Sequence, residues 1–288
     1  MGLDSAPGNS GLWHFAEQTW RVRRPKSFVW IIEGPAEEEG AAPRDYLHDH
    51  LLAPAWREPF LQWVDHIGLV VCLNLQTHHP SYRDVRGRSS KGRLSQGEYY
   101  HHDGCSSPQK PRLVEIRCPF QTTERTVATA AAPHHAVVRA MLALLPPELA
   151  DAAVFGRWQE RLAQSAPPSD REWDVLQGLI NRTLRRKLSA EAARAYFRAV
   201  DHAADAYVVP WAMGESRLIA NASPSGTGGA TLQHRRAYLQ PNRVGVANGS
   251  LVKRWPNEEL PLPGQDVDRA LVASFCSEED GRCARGGE

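Results

Sequence analysis

The sequence has no long apolar run. The longest, Ile67 to Leu73, falls far short of the roughly 20 residues needed to span a bilayer. It has almost no net charge either: 34 lysines and arginines against 33 aspartates and glutamates leave +1 over 288 residues. No global field therefore draws the chain to nucleic acid or to an anionic membrane. It has no C-x-x-C pair, and its five cysteines (Cys72, Cys105, Cys118, Cys276 and Cys283) are an odd count. That pattern argues against a disulfide framework and a zinc ribbon, and points to reduced thiols in the cytoplasm. The amino terminus lacks the cationic start and apolar stretch of a signal peptide, and Met1-Gly2 has no Ser or Thr at position 6 for myristoylation.

What the chain has in quantity is histidine and tryptophan, twelve and nine respectively. Histidine is the commonest metal ligand and the usual acid–base side chain, so where the histidines sit decides the reading. Residues 1–12 and 277–288 are rich in Gly, Ser and charge, and are expected to be flexible ends. Between them, 13–276 is expected to form one catalytic domain, mainly α, with a few short strands. From Pro54 to Leu75 apolar residues recur at three and four, which predicts a helix carrying His66. Residues 81–111 are irregular and dense in Arg, Gly, Ser, Tyr and His; a loop of this length is commonly functional. Leu113 to Phe120 reads as a short strand, and Pro133 as the start of a helix through Leu145. Further helices are predicted over Asp170 to Arg186 and from an N-cap at Ser189 to Pro210. A short helix is expected to end at Leu239.

Several groups of residues can carry chemistry. His202 stands among Ala195, Ala199, Ala203 and Ala206, which leaves a flat shelf where a broad planar ligand can approach the helix; the same pattern also suits close helix packing. Asp201 and Asp205 are near enough to accept from its other ring nitrogen. Ser225-Gly226-Thr227-Gly228-Gly229 can bring backbone N–H groups close to a carboxylate, or can be a surface turn. Arg83, Arg86, Arg88 and Arg93 lie in the irregular loop, and a guanidinium there can clamp a carboxylate. His101-x-Asp103 has the spacing of a non-haem iron facial triad; His234 can complete it, with Arg243 to hold a 2-oxoglutarate carboxylate. His134-His135 reads as a solvated first helical turn. His48-Asp49-His50 has no second ligand pair at a recognisable spacing.

Taken in order, a Tyr-Arg…Arg-Ser-Ser-x-Gly-Arg-Leu-Ser-Gln loop (82–96), a Pro-His-x-x-Val helix, a helix with the lone His202 and a Gly-Thr-Gly-Gly loop (226–229) resemble the tryptophan and indoleamine 2,3-dioxygenase haem superfamily. Size and character are similar to its bacterial haem-dependent L-tyrosine hydroxylases of antibiotic biosynthesis. The resemblance implies a helical single domain that hydroxylates the ring of L-tyrosine to 3,4-dihydroxyphenylalanine with hydrogen peroxide, or with dioxygen and a reductant. It implies His202 as the proximal iron ligand and His66, His78 or His101 as the distal acid–base group, with His79 and His102 also open. Arg88 or Arg93, with Thr227 and Gly228, would hold the substrate. A related branch attaches haem through H-x-x-x-C; here Ala206 takes the cysteine position, which implies non-covalent haem b. A cytoplasmic homodimer without nucleic-acid or membrane partners is expected. The rival expectation is a non-haem Fe(II)/2-oxoglutarate oxygenase built on His101, Asp103 and His234.

Overall fold

The computed structural model describes residues 10–15, 18–34, 47–73, 83–85, 94, 98–103, 113–118, 127–164, 166, 168–210, 215–221, 231–238 and 250–255. In chain order they form β1 (Ser10–Phe15), β2 (Gln18–Lys26), β3 (Val29–Glu33), a π-helical turn (Leu47–Leu51), α1 (Arg57–Ile67), β4 (Leu69–Leu73), β5 (Arg83–Val85), β6 (Leu113–Cys118) and β7 (Val127–Pro133). Then follow α2 (His134–Ala143), α3 (Ala152–Leu162), α4 (Asp170–Lys187), α5 (Ala190–Ala203), β8 (Tyr207–Pro210), β9 (Glu215–Ala220), β10 (Leu232–Tyr238) and β11 (Ser250–Trp255). The strands make two sheets, β1-β2-β3-β4-β9-β6-β11-β5 and β10-β7-β8.

The expected mainly helical domain is thus overturned: the helices flank a packed pair of sheets. Alternation along the strands sets the layers. Val29 and Ile31 of β3 and Leu69 and Val71 of β4 pack on Ala131, Tyr207 and Leu232 of the small sheet. Trp30, Ile32, Val70 and Cys72 face the other way, onto Phe60, Trp63 and Val64 of α1. The far side of the small sheet presents Ala128, Ala130, Ala132 and Ala237 to α2, α3, α4 and α5. The order of layers is therefore α1, large sheet, small sheet, remaining helices.

The predicted helix from Pro54 to Leu75 is two elements. It stops at Gly68, which sits at φ 118° with its N–H on the Val64 carbonyl. A Cβ there would come within 3.1 Å of the Leu232 side chain, so both the backbone conformation and the close approach call for glycine. Beyond it Leu69–Leu73 pairs in parallel with β3, and its unbroken apolar sequence is that of a strand buried on both faces. The strand read at Leu113 is β6, and the helix read at Pro133 is α2, with Pro133 at its N-cap.

The other two helix readings hold at their starts. Ser169 and Glu172 form a reciprocal capping box on α4, and Ser189 accepts from the Ala192 N–H at the head of α5. Arg161 of α3 binds Glu172 through two nitrogens, at 2.7 and 3.2 Å. The Arg161 hydrogen bonds first, then those from Ser169, pull the Glu172 carboxyl down to about 2. The helix α5 ends at Ala203, so Tyr207–Pro210 is strand β8. The short helix expected to end at Leu239 is strand β10. Strand β1 begins at Ser10, inside the stretch expected to be flexible. Among the described residues, no helix is long and apolar enough to cross a membrane.

Candidate metal centre

The site grows from one cross-strand pairing. His101 forms an isolated bridge to β10, where His101 and His234 exchange both backbone hydrogen bonds: the His101 N–H donates to the His234 carbonyl at 3.1 Å and the His234 N–H to His101 at 3.3 Å. Residues directly opposite in an antiparallel pair project to the same face. The two imidazoles accordingly lie side by side, ring centroids 4.6 Å apart. Asp103, at a turn two residues beyond His101, brings its carboxylate to the same pair of rings.

The separations are those of ligands around an ion. His101 Nε2 is 3.5 Å from Asp103 Oδ1, and His234 Nε2 is 3.7 Å from the same oxygen. Both exceed the roughly 2.7–3.2 Å of a hydrogen bond. They lie close to the spacing of about 3 Å between neighbouring ligands bonded at about 2.1 Å to one metal. His101 Nδ1 is 2.8 Å from the Tyr99 carbonyl. A carbonyl only accepts, so Nδ1 carries the proton and Nε2 turns its lone pair to Asp103. Two imidazoles and a carboxylate, with ligand atoms all within 4.8 Å of one another, are a donor set that suits a divalent transition metal.

Asp103 is held through its backbone. Its N–H donates to Asn221 Oδ1 at 2.7 Å, and Asn221 Nδ2 donates to its carbonyl at 3.0 Å. Asn221, wholly buried just past β9, thereby anchors the stretch to the large sheet. No local sequence pattern marks Asn221, because its partner is 118 residues away. Asn221→Ala is expected to weaken metal binding by about 10–100-fold, the usual cost of losing a group that orients a ligand, while far-UV circular dichroism stays unchanged. Metal titration of the two proteins checks this.

A buried polar scaffold backs the site on the helix side. Gln177 of α4 and Gln233 of β10 exchange amide hydrogen bonds, and Gln177 Nε2 also donates to the Tyr100 carbonyl at 2.8 Å. Asp201 of α5 accepts from the Tyr100 hydroxyl at 2.8 Å and from two guanidinium nitrogens of Arg235. Burial, and then the Asp201 charge, push the Tyr100 hydroxyl well above its ordinary range, so it stays a donor. Residues 100 and 235 adjoin residues 101 and 234, so the scaffold fixes the same two backbone segments that carry the histidines.

The residues expected at a haem site are not assembled. His202 is exposed at the end of α5. Asp201, expected beside its ring, is committed to Arg235 and Tyr100, and Asp205 pairs with Lys26. His66 is part of α1; His78, His79, Arg88, Arg93, Thr227, Gly228 and Arg243 lie outside the described residues. Of the distal candidates, His101 is in the triad and His102 faces the opposite way, against His134. His134 is itself buried rather than solvated.

No protein-family model and no curated protein matches the chain. Among solved structures it is similar to AAD-2 in complex with Mn(II) and N-oxalylglycine, at 12% identity and TM-score 0.38, over 82% of this chain and 97% of that one. It is similar also to PvcB from Pseudomonas aeruginosa, at 12% identity and TM-score 0.35, over 88% of this chain and 92% of that one. A taurine dioxygenase from Burkholderia xenovorans aligns at 9% identity and TM-score 0.37, over 86% of this chain and 91% of that one. Likeness of this degree assigns neither a family nor an activity.

The resemblance to the tryptophan dioxygenase superfamily is overturned by the two-sheet architecture. Haem b and tyrosine hydroxylation with peroxide fall with it, since a ligand histidine must reach the iron of an enclosed macrocycle and His202 faces solvent.

Proposed function

We propose that the chain is a non-haem Fe(II)/2-oxoglutarate-dependent oxygenase, an oxidoreductase that takes dioxygen as co-substrate. The observation that supports it is the His101, Asp103, His234 triad, with the His101 tautomer set by the Tyr99 carbonyl. These three side chains would hold the iron on one face. When bound, ferrous iron supplies open coordination positions for a 2-oxoacid and dioxygen.

The chain's own contribution is orientation and charge. Asp103 brings one negative charge and the two imidazoles add none, so a bound divalent ion would keep a net positive charge toward a dicarboxylate. The Asn221 clamp and the paired backbones of His101 and His234 fix three ligand atoms before any cation arrives, so little ordering is left to oppose binding. The overall reaction balances as substrate C–H, dioxygen and 2-oxoglutarate giving the hydroxylated product, succinate and carbon dioxide.

The test separates binding from turnover. Purified protein loaded with Mn(II) should bind 2-oxoglutarate by calorimetry, and with Fe(II) it should form succinate dependent on dioxygen. The protein should show no Soret band. A haem spectrum, or Mn(II)-loaded protein with no heat of 2-oxoglutarate binding, overturns the proposal.

A further inference from the structure

Neighbouring residues of an extended chain point opposite ways, so His102 leaves the triad and turns toward the helices. There it meets His134, the first residue of α2, and Asp174 of α4. His102 Nδ1 lies 3.5 Å and His134 Nε2 3.8 Å from the same oxygen, Asp174 Oδ1. The two rings stand at 87° with centroids 4.6 Å apart, and the three ligand atoms lie within 4.8 Å of one another.

We propose that His102, His134 and Asp174 form a second divalent-cation site, of the zinc type. The distances to Asp174 are too long for hydrogen bonds. They are within a few tenths of an ångström of the edge, about 3.3 Å, of a tetrahedron with bonds of 2.0–2.1 Å. Two imidazoles and one carboxylate suit zinc better than magnesium or calcium, which take oxygen ligands. Access is one-sided: the side chains of His102 and His134 are 4% and 3% exposed, whereas that of Asp174 is 34% exposed. That open side admits the ion and leaves room for a water as fourth ligand.

The site joins α2 and α4 to the stretch that carries His101 and Asp103. Its role is that of a staple behind the candidate iron centre, reached from the same three consecutive residues, His101 to Asp103. The inference stands on these three side chains and does not depend on the oxygenase reading.

Zinc sulfate and cobalt chloride are the probes, titrated into chelator-stripped full-length protein. The Asp103→Ala/His234→Ala variant lacks the triad, so a cation that it keeps and that Asp174→Ala removes reports the second cluster. It should bind one equivalent, show the visible bands of tetrahedral cobalt, and gain about 5–10 °C in Tm with zinc at a hundredfold excess over Kd. Adding Asp174→Ala should remove all three effects, and wild type should fall from two equivalents to one with Asp174→Ala alone. A triad variant that binds no cation, or whose bound cation survives both Asp174→Ala and His134→Ala, overturns the proposal. A wild type whose single cation is lost in Asp174→Ala but kept in Asp103→Ala supports this site and sinks the oxygenase reading.

Discussion

Asp103→Ala should lower 2-oxoglutarate turnover by about a thousandfold or more, as loss of several kcal/mol of metal-derived stabilisation requires. The substitution is selective for a geometric reason. Asn221 grips the backbone N–H and carbonyl of residue 103 and not its carboxylate, so alanine leaves the chain path in place. What disappears is the only anionic ligand of the three, leaving two neutral imidazoles to hold a dication. Iron content should fall in parallel with turnover, while Tm shifts little. His202→Ala is the informative control, because that residue lies exposed at the end of α5. It should retain metal, 2-oxoglutarate binding and turnover. If His202→Ala loses activity while Asp103→Ala keeps it, the triad assignment fails.

The triad was legible in the sequence as a spacing, His101-x-Asp103 with a distant histidine, but the helix around His202 pointed elsewhere. Its alanines suggest a shelf for a macrocycle; in the fold Ala195, Ala199 and Ala203 lie on the solvent side with His202, and Ala206 is half-buried. Helix caps are local chemistry, so Ser169 and Ser189 are readable directly. The sheet was harder for physical reasons. In β7 the residues Ala128, Ala130, Ala131 and Ala132 carry helix propensity, yet tertiary packing places them in a strand where helices approach closely. In β10 both faces are buried, and Gln233, His234 and Arg235 are satisfied by partners far along the chain. Buried polar residues erase the apolar alternation that marks a strand. In β2, by contrast, Trp20 and Val22 are buried between exposed Thr19, Arg21 and Arg23, an alternation that single-sequence reading can recover.

Asp201→Ala should be the most destabilising single change in the helix-side scaffold. Its carboxylate, 9% exposed, accepts from Tyr100 and from both reachable nitrogens of Arg235, itself 3% exposed. Removing it takes the carboxylate from a buried guanidinium, a defect that costs about 3–5 kcal/mol. At 2–4 °C per kcal/mol for a domain of this class, Tm should fall by on the order of 10 °C. The mechanism makes a sharper prediction than the magnitude. Because most of the cost is the unpaired charge, Asp201→Ala combined with Arg235→Met should be more stable than Asp201→Ala alone. Thermal unfolding of the two single variants and the double variant measures the coupling. If the double variant is as destabilised as the sum of its parts, the ion pair does not hold β10 to α5 in the way described, and the rigid support inferred behind His101 and His234 is lost with it.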